Sequence, residues 1–160
     1  MLTKNEMKHL HRCIELAEEA LQEGDEPFGS VLVGAGNRVL AEDRNRTVSS
    51  GDPTRHPEFA LARWAAQNMT PEERADATVY TSGEHCPMCA AAHGLVGLGR
   101  IVYASSSKQL VALRKRLGAA PQAVEPIPAE EVITRAVVEG PVSELAEKVL
   151  ELQEKWCKRR

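Results

Sequence analysis

Blocks of hydrophobic and polar residues along the chain predict one helix followed by a β-hairpin in its first part. Apolar residues recur every three to four positions over residues Asn5–Leu21, which predicts a helix that stops at Gly24. Two short apolar runs follow, Ser30–Ala35 and Arg38–Glu42, and they are separated by Gly36-Asn37. That spacing predicts two antiparallel strands joined by a tight turn.

The rest of the pattern alternates helices and strands after a polar loop at residues 43–55. The predicted helices are Pro57–Asn68, Pro87–Val96, Lys108–Leu117 and Ser143–Trp156, and the predicted strands are Ala77–Thr81, Ile101–Ala104 and a weak one at Ala123–Ile127. This order is typical of an α/β protein and predicts a three-layer α/β/α sandwich with a mixed central sheet of about five strands. No repeat or linker divides the sequence, so residues 1–160 are interpreted as a single domain.

Charge and hydropathy narrow the classes of function. The net charge of -3 and the pI near 6.0 disfavour nucleic acid as the main partner, because polyanion binding usually needs a basic surface. No apolar run approaches the roughly 20 residues that span a membrane, and the acidic, amphipathic N-terminal segment is unlike a signal peptide. A cytoplasmic location is therefore expected. Thiols stay reduced there, so the four cysteines are considered first for metal binding or catalysis.

Two short segments carry the candidate chemistry, and each lies at the start of a predicted helix. They are His56-Pro57-Glu58 and Cys86-Pro87-Met88-Cys89. Cysteines at positions i and i+3 bring their sulfurs to one side of a helical turn, where the helix N-terminus stabilises thiolates. A single C-x-x-C is also compatible with a redox pair or with half of a structural zinc site.

The isolated positions of Cys13 and Cys157 leave His56 as the obvious third ligand beside Cys86 and Cys89. One histidine and two cysteines leave the fourth position of a tetrahedral Zn²⁺ open to water, whose pKa the metal lowers to about 7. Glu58 is then placed to take a proton from that water and to return it to the substrate. The sequence thus predicts one catalytic Zn²⁺ per chain.

An H-x-E segment followed by C-x-x-C is the signature of zinc nucleobase deaminases. Together with Pro27-Phe28-Gly29, which precedes a predicted strand, and Asp52-Pro53-Thr54-Arg55 before His56, it carries a family resemblance. The chain resembles the cytidine deaminase superfamily, in the branch that contains bacterial guanine deaminases and tRNA adenosine deaminases. The resemblance runs from about residue 27 to residue 105.

This resemblance implies a hydrolytic deaminase with Zn²⁺ on His56, Cys86 and Cys89 and with Glu58 as proton shuttle. The implied substrate is a small molecule, a free aminated nucleobase or related heterocycle (purine, pyrimidine or triazine), which loses ammonia. The resemblance further implies that the chain forms a homodimer. The expected substrate contacts are Asn45, Phe28, Glu84 and Trp156. Trp156 is expected either to anchor the final helix or to cap the pocket, Phe28 either to line the pocket or to pack in the core, and Glu84 either to contact the substrate at the rim or to lie in solvent.

Three departures from the family pattern bear on the substrate. Pro57 replaces an alanine after the metal histidine, and His85 replaces a proline before the first cysteine. The segment Ser105–Gln109 lacks the acidic residue that guanine deaminases carry there, and a pocket cannot select an N–H donor strongly without an acceptor. Guanine is therefore disfavoured relative to other aminated rings, unless Gln109 or Glu84 takes over that role.

Three other functions stay open at this point. A tRNA-type adenosine deaminase would use the same chemistry but needs a basic groove, which the acidic segment at residues 125–131 disfavours. A non-catalytic protein with a structural zinc would have no use for Glu58. A thiol oxidoreductase based on Cys86 and Cys89 would leave both His56 and Glu58 without a role.

Overall fold

Seven α-helices and five strands follow one another in the computed structural model, which describes residues 1–160. In chain order they are α1 (Lys4–Gln22), β1 (Gly29–Gly34), β2 (Arg38–Arg44), α2 (Pro57–Asn68), α3 (Pro71–Asp76), β3 (Thr78–Gly83), α4 (Pro87–Val96), β4 (Arg100–Ser105), α5 (Ser107–Arg116), α6 (Ala129–Val132), β5 (Val138–Glu139) and α7 (Ser143–Lys158). The predicted helices at residues 5–21, 57–68, 87–96, 108–117 and 143–156 are confirmed to within two residues at each end.

The five strands form one mixed sheet in the order β2-β1-β3-β4-β5. β1 pairs antiparallel with both β2 and β3, whereas β3, β4 and β5 run parallel. The predicted hairpin is confirmed, and its turn places both Gly36 and Asn37 at positive φ, which suits glycine and asparagine. The mixed sheet of five strands is therefore as predicted.

Helices cover the two faces of the sheet, and the alternation of side chains along each strand decides which residues they meet. Val31 and Val33 of β1 face α1 and α7 in one core cluster. Leu32, between them, faces α2 in a second cluster, and α4 packs against α2 on that side. α5 packs against α7 on the first side. The fold is the predicted α/β/α sandwich.

One local prediction is wrong, and one short helix was not predicted. The strand expected at Ala123–Ile127 is wrong, because this segment is irregular and exposed and the strand beside β4 is Val138–Glu139. Prolines at positions 121, 126 and 128 remove backbone donors that a strand in this place would need. The short helix α3 was not anticipated, although Thr70 and Glu73 form a capping box around Pro71 at its start.

The Glu6 carboxylate ties α1 to β4 through Arg100, which also pairs with Glu139 on β5. The hydrogen bond from Arg100 lowers the pKa of Glu6 to about 2 from 4.5. Because the pKa of Glu6 is lower in the folded state than in the unfolded state, the contact with Arg100 stabilises the fold. This contribution is present above about pH 4.5 and disappears as the pH falls towards 2.

Replacing Glu6 by glutamine should therefore lower the free energy of unfolding by about 2 kcal/mol at pH 7 and change it little at pH 2. Glutamine still fits the capping box with Thr3, so the substitution removes the charge rather than the cap. Urea unfolding at both pH values measures the effect, with exposed Glu18 on the same helix replaced by glutamine as the control. An equal loss at both pH values would contradict the assigned cause.

No helix of the structure combines the length and the hydrophobicity that a membrane span requires.

Candidate metal centre and active-site cavity

The candidate site lies at one edge of the sheet, where several strands end together. Ser30 at the start of β1 pairs with Thr81 near the end of β3, and Gly83 at the end of β3 pairs with Ser105 at the end of β4. The carboxyl ends of the parallel strands β3 and β4 therefore meet the amino end of β1. Ligands bind at such an edge in open α/β sheets, because helices begin there and leave a crevice.

Proline fixes the starts of both helices that carry the candidate ligands. His56 is the N-cap residue of α2 and Cys86 is the N-cap residue of α4, and a proline follows each of them at the first helical position. Proline is pre-organised for this position, where its missing N–H costs nothing. Glu58 and Cys89 then lie in the first turns of the same two helices, so four predicted residues are positioned by two helix starts.

The donor atoms of His56, Cys86 and Cys89 form a triangle of the size that Zn²⁺ requires. His56 Nδ1 lies 3.6 Å from each sulfur, and the two sulfurs are 3.5 Å apart. With Zn–S of about 2.3 Å and Zn–N of about 2.0–2.1 Å, a tetrahedral ion separates sulfur from nitrogen by about 3.6 Å and sulfur from sulfur by about 3.8 Å. These three residues are the one group of potential ligands close enough to share an ion. They form the candidate zinc site.

The electrostatics of the triangle favour a cation. The hydrogen bond from Cys89 lowers the pKa of Cys86 to about 4, whereas the same bond and burial raise the pKa of Cys89. Burial opposes the charged form of His56, but Cys86 and the charge of Glu58 outweigh it and raise the pKa of His56 to about 9. Anionic sulfur and carboxylate thus surround one point, and a divalent ion would displace the remaining protons.

The buried Glu58 carboxylate sits beside the triangle and is held at one oxygen by two hydroxyl-bearing residues. Its Oε1 lies 2.7 Å from Thr81 Oγ1 and 3.0 Å from Ser30 Oγ, while its Oε2 lies 3.7 Å from Cys89 Sγ. Burial raises the pKa of Glu58, and the charge of His56 and the Thr81 hydroxyl oppose that rise. One oxygen is therefore fixed by the protein and the other faces the ligand triangle.

His56, Glu58 and Cys86 line a cavity of about 420 Å³. The helix starts and strand ends form one part of its wall, and the irregular segment at residues 122–126 forms another. The remaining polar wall comes from Glu26 before β1, Arg114 on α5 and Gln153 on α7. Because α5 and α7 belong to the layer opposite α2 and α4, the cavity opens at the sheet edge between the two helical layers.

One predicted substrate contact, Phe28, lines this cavity, and a second, Asn45, does not line it but donates its backbone N–H to the carbonyl of Phe28. The ring of Phe28 lies so close to Gly83 that a Cβ there would be 2.7 Å from the ring. Asn45 is fully buried at the end of β2, and its Oδ1 accepts hydrogen bonds from the backbone and hydroxyl of Thr47. Its side-chain NH₂ group has no partner in the protein. A substrate contact by either residue stays a prediction.

The other two predicted contacts have structural partners. Glu84 lines the cavity, but its carboxylate already accepts the backbone N–H groups of Ser107 and Ala129 and so joins the starts of α5 and α6. Trp156 lies in the core cluster between α7 and the sheet, with Arg160 stacked 4.3 Å from its ring centre. Trp156 does not line the cavity, whereas residues 122–126 do.

Three further side chains singled out in the sequence also have structural positions. Gln109 completes the cap of α5 by accepting from Ser106 and is not a cavity residue. His85 is buried with its ring edge against His93, 5.3 Å between centres, and burial lowers the pKa of both rings. His93 Nε2 donates to the carbonyl of Gly99. Neither histidine belongs to the ligand triangle.

Glu26, Arg114 and Gln153 were not anticipated as cavity residues. Gln153 had a recognisable signal, because it occupies the core-facing stripe of α7 with Ala146, Val149 and Trp156. A glutamine in that stripe indicates a buried polar role. Glu26 and Arg114 have no such signal, since they are acidic and basic residues in otherwise polar surroundings.

Comparison with known proteins agrees with this site. The family model for the cytidine and deoxycytidylate deaminase zinc-binding region matches residues 3–105, which contain all three candidate ligands and Glu58. The chain is 30% identical over 120 residues to a protein of Schizosaccharomyces pombe described as "Probable cytosine deaminase", covering 75% of this chain and 72% of that protein. It is 31% identical over 109 residues to a tRNA-specific adenosine deaminase of Haemophilus influenzae, covering 68% of this chain and 63% of the relative.

A third relative has a solved structure. The chain is 38% identical over 86 residues to guanine deaminase of Bacillus subtilis, covering 53% of this chain and 54% of that protein. The X-ray structure of guanine deaminase from that organism superimposes with a TM-score of 0.58 at 26% identity, covering 89% of this chain and 88% of the other. Family match, fold and ligand triangle agree, and the chain belongs to the zinc-binding cytidine and deoxycytidylate deaminase family.

Proposed function

We propose that the chain is a hydrolytic deaminase of a free aminated nucleobase or a related heterocycle. The observation that carries the proposal is the position of Glu58, whose Oε2 lies 3.7 Å from Cys89 Sγ, within reach of that thiol, at the wall of the same cavity as the ligand triangle. A zinc site that only stabilised the fold would have no use for a buried carboxylate with one oxygen directed at the metal ligands. The residues present thus support catalysis rather than a purely structural metal.

His56, Cys86 and Cys89 would hold Zn²⁺, which supplies a Lewis acid that lowers the pKa of water to about 7. Glu58 Oε1 is fixed by Thr81 and Ser30, so Oε2 is the oxygen that accepts a proton from the water as it adds to the amidine carbon. The same oxygen gives this proton to the ring nitrogen, then takes the proton of the hydroxyl group formed on the carbon and gives it to the leaving amine. The carbon–nitrogen bond breaks, ammonia leaves, and a ring carbonyl remains.

The dimensions and charge of the cavity support a small substrate. A volume of about 420 Å³ suits a one- or two-ring heterocycle, since small-molecule sites usually measure about 300–1,000 Å³. The lining contains the carboxylates Glu26, Glu84 and Glu125 beside Glu58, but Arg114 is its one arginine and it has no lysine. RNA phosphates need basic side chains around the pocket. The lining therefore favours a free base over a nucleotide within RNA.

A tRNA-type adenosine deaminase is the second candidate, because the Haemophilus influenzae relative has that activity in its name and shares 31% identity over 109 residues. The two candidates differ in what must enter the cavity. A free-base enzyme accepts the ring alone, whereas a tRNA enzyme requires flanking nucleotides that contact the protein outside the cavity.

An ammonia-release assay separates the two candidates. We expect the zinc-loaded protein to release ammonia from one or more of guanine, adenine, cytosine, 2,6-diaminopurine and melamine, and not from adenosine within a tRNA anticodon stem-loop. The control is the protein with Glu58 replaced by glutamine, which corrects for contaminating activity. Ammonia from the stem-loop with none from the five free compounds would refute the free-base assignment.

Three organisational features accompany this proposal. Residues 1–160 act as one domain. The packing of α1 and α7 in a single core cluster supports this, because the two helices are far apart in the sequence. The chain forms a homodimer, as the family resemblance implies. The protein works in the cytoplasm. Light scattering of the purified chain tests the homodimer.

A further inference from the structure

A polar wall of the cavity lies across from the zinc ligands and takes no part in the chemistry described above. It consists of Glu26, Arg114 and Gln153, called here the acceptor wall. Its residues come from the segment before β1 and from α5 and α7, in the helical layer opposite α2 and α4. The charges of His56 and Glu58 nevertheless act on the pKa of Glu26, so its carboxylate is close enough to share the cavity with them.

The Glu26 carboxylate has an incomplete set of partners. It accepts no hydrogen bond from the protein, and its one ionic contact is Arg114 Nη1, 3.5 Å from Oε1. Its side chain is only 22% exposed. A carboxylate withdrawn from water normally has several hydrogen-bond donors around it, and their absence costs free energy. Burial accordingly raises the pKa of Glu26 while Arg114 and His56 oppose the rise.

Gln153 adds a second acceptor in a fixed orientation. Its side chain is almost completely buried, at 1% exposure, and its Nε2 donates to the carbonyl of Pro27 at 2.9 Å. This hydrogen bond anchors the segment that carries Glu26 and determines which end of the amide is the oxygen. Gln153 Oε1 has no hydrogen-bond partner. The acceptor wall therefore contains a carboxylate whose one contact is Arg114 and an amide oxygen without a partner, and both Glu26 Oε1 and Gln153 Oε1 are shielded from solvent.

We infer that Glu26, with Gln153 beside it, accepts hydrogen bonds from an N–H group of the substrate ring on the side away from the reacting amidine, and so selects a free base against its N-substituted forms. The inference rests on the proposed function and makes its substrate class narrower. A ring nitrogen that carries a ribose or a methyl group has no hydrogen to donate, and it would leave the buried acceptors unpaired. Arg114 holds Glu26 in place and favours its charged form.

Matched pairs of ring compounds test this contact. The pairs are guanine with 7-methylguanine and 9-methylguanine, and cytosine with 1-methylcytosine. For whichever base reacts best, we expect Glu26→Gln to lower kcat/KM about 10- to 100-fold, mainly through KM, since a charge-assisted hydrogen bond is lost. The methylated partner should react more slowly with the unmodified protein. Its kcat/KM should change less than about threefold when Glu26 is replaced by glutamine. Glu23→Gln, an exposed glutamate three residues earlier, is the matched control.

Equal losses on the base and on its methylated partner, or no loss on either, would overturn the inference. Zinc content and thermal unfolding of Glu26→Gln show that the variant is folded and loaded before kinetics are compared. If no base is deaminated, the proposed function fails separately, and binding of the same pairs to the Glu58→Gln protein by calorimetry still measures the contact. The role of Glu26 would also be refuted if the affinity of the Glu58→Gln protein for these compounds changed neither with methylation of the base nor with Glu26→Gln. Absence of binding of any base would refute it as well.

Discussion

Replacing Glu58 by glutamine is expected to reduce ammonia release about 10²- to 10⁴-fold and to leave about one zinc per chain. Glutamine has the same shape, and its amide oxygen can still accept from Thr81 or Ser30, so the helix start and the ligand triangle should stay in place. What it cannot do is carry a proton from the water nucleophile to the leaving amine. Parallel measurement of kcat and of metal content distinguishes loss of proton transfer from loss of the site.

A control with the same local structure is available for that experiment. Glu72 follows Pro71 at the second position of α3, as Glu58 follows Pro57 at the second position of α2, but it is exposed and far from the cavity lining. Glu72→Gln should retain full activity. If Glu58→Gln kept more than about a tenth of the activity, its proton-transfer role would have to be abandoned.

The second large effect is expected from removing a sulfur ligand. Cys86→Ala should lower the zinc content after dialysis from about one ion per chain to below about a tenth, because two ligands hold the ion far less tightly than three. Activity should fall by about 10³-fold or more, since the metal contributes several kcal/mol of transition-state stabilisation. Atomic absorption and the ammonia assay measure the two quantities on the same preparation.

Cys157→Ala supplies the comparison for a cysteine outside the triangle. Cys157 lies on α7, half-buried at the margin of the core and away from the other donor atoms. Its replacement should leave zinc content and activity unchanged. Full zinc retention by Cys86→Ala would show that the ion is held elsewhere and would invalidate the assigned ligand set.

The metal centre was predictable from sequence because its geometry is local. Two helix starts, each marked by proline, place His56 with Glu58 and Cys86 with Cys89, and only the meeting of the two starts depends on the fold. Hydrophobic periodicity likewise predicted five helices and the hairpin. It failed at residues 123–127, where apolar residues stand between prolines and no paired strand forms.

The walls of the cavity were not predictable in the same way, because residues distant in sequence assemble them. Glu26, Arg114 and Gln153 meet only after α5 and α7 have packed beside the segment before β1. Periodicity also cannot tell whether Trp156 anchors α7 or covers the pocket, and the structure places that ring in the core. Residues 105–109 contain no carboxylate, and Glu26 lines the cavity from another part of the chain, before β1.

The position of the cavity between the two helical layers has an evolutionary consequence. The ligands and Glu58 lie within residues 3–105, the part that matches the family, whereas Arg114, Gln153 and residues 122–126 follow it in the chain. Mutations in the later part can therefore change the wall of the cavity without touching the candidate zinc ligands or Glu58.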